Sequence, residues 1–213
     1  MNATAILPVK RFAAAKQRLG AGMDEERRLA LIEAMLGDVL EAIAEARMVE
    51  RTIVVTGEPA AHQAATSTGA ETVPDPTDEG HPEAALLGIQ FAARGGAEQV
   101  VLLPGDCPLL EPRELDGLLT GLPEPYAAIV PDRHGTGTNG LVLSPPDAIR
   151  PAFGEGSCRR HIEAARSAGI PHAVEKVQSL ALDLDTPADV VALTREVERG
   201  AARAKRTARA LGI

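Results

Sequence analysis

Three aspartates in this sequence are candidate ligands for a metal ion. Asp106 follows the apolar run Gln99–Pro104 and is bracketed by a glycine and two prolines in the segment LPGDCPLL. Asp183 and Asp185 alternate with leucines in LALDLDTP, and in an extended strand this alternation places both carboxylates on one face. Carboxylate oxygens suit a hard cation such as Mg²⁺, so the pattern indicates a metal site formed by these three residues.

A cationic loop follows the first strand-like segment. After Thr4–Pro8 the chain carries Lys10, Arg11, Lys16 and Arg18, although its formal net charge is −8. Positive charge collected at such a loop suits a triphosphate, because negative charge builds on the pyrophosphate as it leaves. The loop lacks the P-loop pattern. Together with the three aspartates, it favours a site for a metal ion and a triphosphate.

Each of these features also has a simpler structural interpretation. Asp106 could cap a helix or form an Asx turn, and Asp183 and Asp185 could lie on the solvent-exposed face of an edge strand. The cationic loop could be solvated surface. Cys107 has no evident base partner in the sequence, so we interpret it as a small buried thiol and not as a nucleophile.

Two glycine-rich segments are candidate ligand loops. The segment HGTGTNG at 134–140 offers backbone amides and two hydroxyls that could bind an anion. The segment FGEGS at 153–157 precedes a helical pattern, which Ser157 could cap while free N–H groups face a phosphate or carboxylate. Glycine-rich turns are common, so neither segment is specific alone. The histidines form no ligand pattern, and we expect His134 and His161 at surface or polar sites.

The composition favours an α/β domain and disfavours several functions. Of the 213 residues, 45% are apolar but only 2% are aromatic, which leaves few rings to stack on nucleic-acid bases. The net charge of −8 disfavours polyanionic partners such as nucleic acid or a membrane surface. Two cysteines are too few for a disulfide framework. With neither a signal peptide nor a membrane span recognisable, we expect a reduced, cytoplasmic protein.

Strand-like runs alternate with helical patterns over the first half of the chain. This order predicts a doubly wound, largely parallel sheet that binds ligands outside the carboxyl ends of its strands. Asp24 is a predicted helix N-cap. The later strands are expected at 126–131, 141–144, 173–177 and 179–185, with a turn at 135–140. We expect a domain over residues 1–199, followed over 200–213 by a basic extension of the last helix or a mobile tail.

In this order, the motifs resemble the 2-phospho-L-lactate/phosphoenolpyruvate guanylyltransferase family of coenzyme F-420 (deazaflavin) biosynthesis. The resemblance runs from about Ala5 to Leu193 and rests on PVK-x5-K-x-RL, LPGDCPLL, GTGTNGL, FGEGS and LALDLDTP. It implies a single-domain, Rossmann-like α/β nucleotidyltransferase of the nucleotide-diphospho-sugar transferase type, with helices flanking a mostly parallel central sheet. It also implies that GTP reacts with a phosphorylated three-carbon acid, releasing pyrophosphate. Phosphoenolpyruvate is the first expectation for that acid and 2-phospho-L-lactate the second, and 3-phosphoglycerate, which differs by a few atoms, stays open. The enzyme would be a monomer or homodimer that passes its product to the next transferase.

The resemblance also implies roles for individual residues. The implied Mg²⁺ ligands are Asp106, Asp183 and Asp185. The implied catalytic residues are Lys10, Lys16, Arg18 and Asp106. The implied contacts to the acid are Thr138, Gly154 and Ser157, and those to the nucleotide are Pro8, Lys10, Gly105 and Glu83. The chain departs from the family pattern at Pro82-Glu83, where relatives usually have Leu-Asn, and at Gln17, which replaces a small hydroxyl residue.

Other functions stay open on the residues alone. Another nucleotidyltransferase of the same fold could make a guanylylated pterin or a CDP-activated alcohol. A catalytically inactive nucleotide-binding regulator could keep the fold without the reaction. A glycosyltransferase could use the Asp-x-Asp pair, but it would not explain the cationic loop after the first strand.

Overall fold

The computed structural model describes residues 3–20, 23–76 and 80–213, and within these ranges seven strands form one sheet. The strands are β1 Ala3–Val9, β2 Val49–Thr56, β3 Glu71–Pro74, β4 Val100–Leu102, β5 Tyr126–Pro131, β6 Thr138–Ser144 and β7 His172–Val174. The α-helices are α1 Glu25–Glu45, α2 Pro59–Ser67, α3 His81–Arg94, α4 Pro112–Leu119, α5 Ser157–Ser167, α6 Pro187–Glu198 and α7 Lys205–Leu211. Three short 3-10 helices occupy Phe12–Ala14, Gln17–Gly20 and Gln178–Leu180.

The sheet has the strand order β3-β2-β1-β4-β6-β5-β7. Strands β1 to β4 pair in parallel, whereas β6 is antiparallel to both of its neighbours, and β7 is parallel to β5. The predicted α/β fold with a mostly parallel sheet is confirmed. Because β1 and β4 are adjacent and parallel, the loops that follow them leave the same edge of the sheet.

Helices cover both faces of the sheet, so the central strands are apolar on both sides. In β1, Ala5 and Leu7 join the cluster that contains the buried face of α1, while Ile6 joins the cluster under α3 and α5. This alternation is the period of two that a strand imposes. Helix α3 crosses β1 so closely that a Cβ on Gly88 would lie 2.4 Å from Cγ2 of Ile6.

The helix starts match the predictions at one place and differ at another. The Asp24 carboxylate accepts a hydrogen bond from the Arg27 amide at 2.8 Å, which confirms the predicted N-cap of α1. The prediction that Ser157 caps α5 is wrong. Gly156 holds the N-cap position with φ of 70°, and Ser157 is the first helical residue. A left-handed backbone at this position favours glycine, which places the serine one residue later.

Three strand predictions in the second half of the chain need correction. The strand expected at 173–177 is β7, which is shorter and ends at Val174. Strand β6 begins at Thr138 and not at Leu141, because Gly140 already pairs with Val130 of β5. The segment 179–185 is not a strand. It starts in a 3-10 helix and then makes separate backbone bonds, from Arg133 N to Ala181 O and from Leu184 N to Asp106 O. Isolated bonds to two different segments cannot form a ladder.

The C-terminal segment forms a helix of its own. Helix α6 ends before Gly200, whose φ is 91°, and α7 packs against α1. The expectation of either a longer last helix or a mobile tail is therefore wrong for the part of 200–213 that forms α7. No helix within the described ranges combines the length and apolar character needed to cross a membrane.

Candidate functional site

A cavity of about 700 Å³ lies at the carboxyl ends of β1 and β4. Its apolar side comes from α1, and its polar side comes from the loops that follow β1, β4 and β5, the loop before α5, and the segment before α6. The site residues that line it are Pro8, Lys10, Lys16, Arg18, Gly105, Asp106, Thr138, Gly154, Ser157, Asp183 and Asp185. The structure thus brings every predicted site residue except Glu83 to one cavity.

Glu83 lies elsewhere. It is exposed on the first turn of α3 and does not line the cavity. His81, two residues earlier, lines it instead, and its ring packs edge-on against Phe153 with centroids 4.9 Å apart. Burial lowers the pKa of His81 to about 4, so its ring is neutral at neutral pH. Sequence reasoning missed this position, because a histidine at a helix start has no specific pattern.

The cationic loop is held in place from two sides. Arg28 of α1 is buried, and its guanidinium donates to the carbonyls of Phe12, at 3.0 Å, and of Ala15. The Glu58 carboxylate accepts from the Phe12 amide at 2.9 Å. Buried arginine is uncommon without such partners, and here it orders a loop that carries charge. The sequence did not predict this role of Arg28. Its partners are backbone carbonyls, which every residue has, so no residue type indicates them.

Lys16 lies between two of the predicted metal ligands. Its ammonium group contacts both the Asp106 and the Asp185 carboxylates, and its backbone has a φ of 54°, which is rare for a residue other than glycine. Burial alone would lower the pKa of Lys16, but the two carboxylates outweigh burial and raise it. The side chain is therefore a fixed positive charge.

Asp183 completes the acidic side of the cavity. One of its oxygens accepts from the Asn139 side-chain amide at 3.1 Å. Burial raises the pKa of Asp183, and the nearby charges of Asp106 and Asp185 raise it further. The leucines on either side, Leu182 and Leu184, are buried, so the alternation predicted from the sequence survives although the segment is not a strand.

The ligand types at this cavity suit a divalent cation, although their side chains are not already arranged around a metal position. Within the described residues, no group of three or more histidine, cysteine, aspartate or glutamate side chains is arranged to hold a metal ion. Nevertheless, Oδ1 of Asp106 is buried and has no hydrogen-bond partner among those residues. Three carboxylates around one cavity, one of them with an unpaired buried oxygen, are hard oxygen donors of the kind Mg²⁺ prefers.

The two glycine-rich segments form the opposite wall of the cavity. The Asp132 carboxylate accepts from the amides of His134, Thr136 and Gly137, at 3.0, 2.9 and 2.9 Å, and so holds the turn between β5 and β6. These backbone bonds lower the pKa of Asp132 against the opposing effect of burial. The turn delivers Thr138 to the cavity.

The loop before α5 is held from the helix that follows it. The Arg160 guanidinium donates to the carbonyls of Ala152, at 2.9 Å, and of Phe153, at 3.1 Å. Gly154 and Gly156 have φ of 106° and 70°, which lets the chain turn sharply into α5. With these carbonyls bound to Arg160, Gly154 and Ser157 line a wall suited to an anion.

Cys107 is a buried thiol that does not line the cavity. It is fully buried, and its thiol donates to the Leu180 carbonyl at 3.7 Å. Burial, followed by the nearby aspartates, raises the pKa of the thiol well above its ordinary value. The prediction of a buried thiol is confirmed, and Cys107 and Cys158 are both free.

Residues 3–209 match the family model described as "Guanylyl transferase CofC like". The chain belongs to this family. Among its relatives, a phosphoenolpyruvate guanylyltransferase from Conexibacter woesei is 45% identical over 196 residues, which is 91% of this chain and 87% of the relative. A 3-phospho-D-glycerate guanylyltransferase from Phenylobacterium zucineum is 37% identical over 196 residues, 91% of this chain and 90% of the relative.

The fold agrees with this family. A protein from Desulfovibrio desulfuricans assigned to the nucleotide-diphospho-sugar transferases superposes with a TM-score of 0.74 at 20% identity, covering 98% of this chain and 94% of that one. At this identity the likeness concerns the fold alone. The family membership makes the chain a nucleotidyltransferase.

Proposed function

We propose that this guanylyl transferase family member transfers the guanylyl group of GTP to phosphoenolpyruvate, releasing pyrophosphate, as a step of coenzyme F-420 biosynthesis in the cytoplasm. One observation carries the proposal. The cations Lys10, Lys16 and Arg18 and the carboxylates Asp106, Asp183 and Asp185 line the same cavity. Triphosphate binding needs the first set, and a metal-assisted transfer needs the second.

The reaction forms one bond and breaks one. A phosphate oxygen of the acid attacks the α-phosphorus of GTP, and the bond from that phosphorus to the bridging α–β oxygen breaks in line. Both electrons of the broken bond leave with pyrophosphate. The nucleophile is already an ionised phosphate, so no protein base and no covalent intermediate are needed.

The cationic residues stabilise charge on the leaving side. Lys16 is partly buried and positively charged, and its ammonium, which contacts Asp106 and Asp185, would turn toward the pyrophosphate when a cation occupies those carboxylates. Lys10 and Arg18 line the same cavity and add positive charge there. Arg28 and Glu58 keep the loop in this arrangement through its backbone.

Asp106, Asp183 and Asp185 would hold Mg²⁺. Burial, and then the charges of Asp106 and Asp185, raise the pKa of Asp183, so a cation among these carboxylates would be favoured, as it would beside the buried, unpaired oxygen of Asp106. When bound there, Mg²⁺ supplies the positive charge that lets two anionic substrates approach each other.

Phosphoenolpyruvate is the acid we favour, because a relative of that name is 45% identical, whereas a relative named for 3-phospho-D-glycerate is 37% identical. A pyrophosphate-release assay with GTP, ATP or CTP against phosphoenolpyruvate, 2-phospho-L-lactate and 3-phospho-D-glycerate tests this choice. We expect GTP with phosphoenolpyruvate to give the highest kcat/KM. A higher value with another nucleotide or acid would refute the assignment of that substrate. The comparison of GTP, ATP and CTP is needed because Pro82-Glu83 replaces the usual Leu-Asn pair of the relatives.

A further inference from the structure

His161 is a buried histidine with two polar contacts that the proposed reaction leaves unused. Its side chain is fully buried in the first turns of α5. Nδ1 lies 3.0 Å from Oγ1 of Thr138 on β6, and Nε2 lies 2.8 Å from the amide nitrogen of Ala152. The ring thus joins the strand that carries Thr138 to the loop that carries Gly154.

The Ala152 contact decides which ring nitrogen carries the proton. A backbone N–H can only donate, so Nε2 must accept and therefore bears a lone pair. Burial, with a smaller effect of the Arg160 charge, lowers the pKa of His161 to about 4, so the ring is neutral at neutral pH. A neutral ring with an unprotonated Nε2 is protonated at Nδ1. Nδ1–H consequently donates to Oγ1 of Thr138.

This bond fixes the direction of the Thr138 hydroxyl proton. Oγ1 already accepts from His161, so its own hydrogen must point to another acceptor. No second partner for this hydroxyl occurs among the hydrogen bonds of the described residues, and Thr138 lines the cavity. The hydroxyl hydrogen is left for a ligand.

The ring cannot easily rotate out of this arrangement. Phe153 packs edge-on against His161, with centroids 5.1 Å apart and an interplanar angle of 74°, and His81 packs on Phe153 in turn. These contacts exclude water from the imidazole and support both hydrogen bonds.

We propose that His161 is a positioning residue that aims the Thr138 hydroxyl at an anionic oxygen of the phosphorylated acid. The inference rests on the proposed function, because it assigns the acid to this wall of the cavity. It predicts that loss of the Nδ1–H donor weakens use of the acid and leaves use of the nucleotide unchanged, since the side-chain bonds of His161 join it to Thr138 and Ala152 and not to the cationic loop or the aspartates.

Two substitutions of His161 distinguish the roles of its two ring nitrogens. The amide introduced by His161→Asn can place a donor near the former Nδ1 and loses the acceptor for Ala152, whereas His161→Gln can keep that acceptor and loses the donor. Thr138→Val removes the hydroxyl, and Thr138→Ser retains it. We expect His161→Gln and Thr138→Val to raise KM for the acid roughly tenfold, as for loss of a hydrogen bond to a charged group. His161→Asn and Thr138→Ser should change it much less, and KM for GTP should stay within about twofold of wild type in all four.

The double variant Thr138→Val/His161→Gln shows whether the two residues act together. If His161 acts through the hydroxyl, the double variant should be no worse than Thr138→Val alone. Additive losses, or equal losses in His161→Asn and His161→Gln, would overturn the inference in favour of a purely structural role. If His161→Gln fails to fold, nitrogen-15 NMR of the wild-type ring decides the same question, because an Nε2–H tautomer would contradict the inference and an Nδ1–H tautomer would support it.

The controls distinguish this inference from the proposed function. A wild-type enzyme that releases no pyrophosphate from GTP and any of the three acids would refute both. A fully active wild type, together with an unaltered KM for the acid in His161→Gln, would refute the role of His161 alone.

Discussion

At the scale of single residues, His161 also links folding to pH. Its pKa is about 4 in the folded chain against an ordinary value of 6.5, because burial disfavours the charged ring. Between these values the unfolded chain binds a proton that the folded chain excludes. The stability that depends on the neutral ring is therefore complete above pH 6.5 and is lost as the pH falls toward 4.

We predict that His161→Gln flattens this part of the stability profile. Urea denaturation at pH 7 and at pH 5 measures this. Between these pH values, the free energy of unfolding should fall by about 2 kcal/mol more in wild type than in the variant. His81, whose pKa burial also lowers to about 4, is present in both proteins and cancels. The exposed His62 gives the control His62→Gln, which should keep the wild-type slope. Equal slopes in wild type and His161→Gln would contradict this explanation.

Residue types made the aspartates and the cationic loop predictable, but not their supports. Asp106 was recognisable because glycine and prolines fix its backbone directly after a buried strand. Arg28 and His161 were not, because each acts on backbone groups or on a residue distant in the chain, and a single sequence does not record such contacts. Glu83 was placed at the nucleotide by family position, and the structure puts it on an exposed turn.

At the scale of elements, α7 depends on a carboxylate from α1. Asp38 is buried, and its oxygens accept from the amides of Arg206 and Thr207, at 3.0 and 2.8 Å, and from the Thr207 hydroxyl at 2.7 Å. A carboxylate at a helix N-terminus also interacts favourably with the helix dipole. These contacts explain why the basic C-terminal residues dock as a helix, a result that their composition could not reveal.

Removing this cap should detach or destabilise α7. We predict that Asp38→Ala lowers the free energy of unfolding by about 3 kcal/mol, because it leaves buried donors without an acceptor. Glu41→Ala is the matched control, since Glu41 lies one turn further along α1 and forms an exposed ion pair with Arg206. The control should cost less than about 1 kcal/mol. Urea denaturation compares the two, and equal losses would show that Asp38 does not hold α7.

The element boundaries show where sequence patterns are sufficient. The apolar run Gln99–Pro104 predicted β4, because a strand covered on both faces leaves that signature, and the strand-like segment Thr4–Pro8 predicted β1. The segment 179–185 has the same alternation as a strand but forms only isolated backbone bonds, and no local pattern distinguishes the two cases. The antiparallel direction of β6 is likewise set by its pairing with β4 and β5, which the sequence does not specify.

At the scale of the whole molecule, the sheet brings distant segments of the chain to one cavity. Lys16 and Asp185 are 169 positions apart, yet their charged groups are in contact. The parallel neighbours β1 and β4 bring the cationic loop beside Asp106, and the backbone bond from Leu184 to the Asp106 carbonyl adds the last two aspartates. This convergence supports guanylyl transfer more strongly than any one motif.

The most direct test of that central claim follows the α-phosphorus of GTP. With GTP labelled at that atom, phosphoenolpyruvate and Mg²⁺, we predict that the label enters a product containing the acid and is absent from the released pyrophosphate. Asp183→Ala should lower the rate at least about a hundredfold, while Asp147→Ala, at an exposed aspartate away from the cavity, should not. Label that stays in a guanosine nucleotide without joining the acid, or an Asp183→Ala enzyme as fast as wild type, would contradict the account.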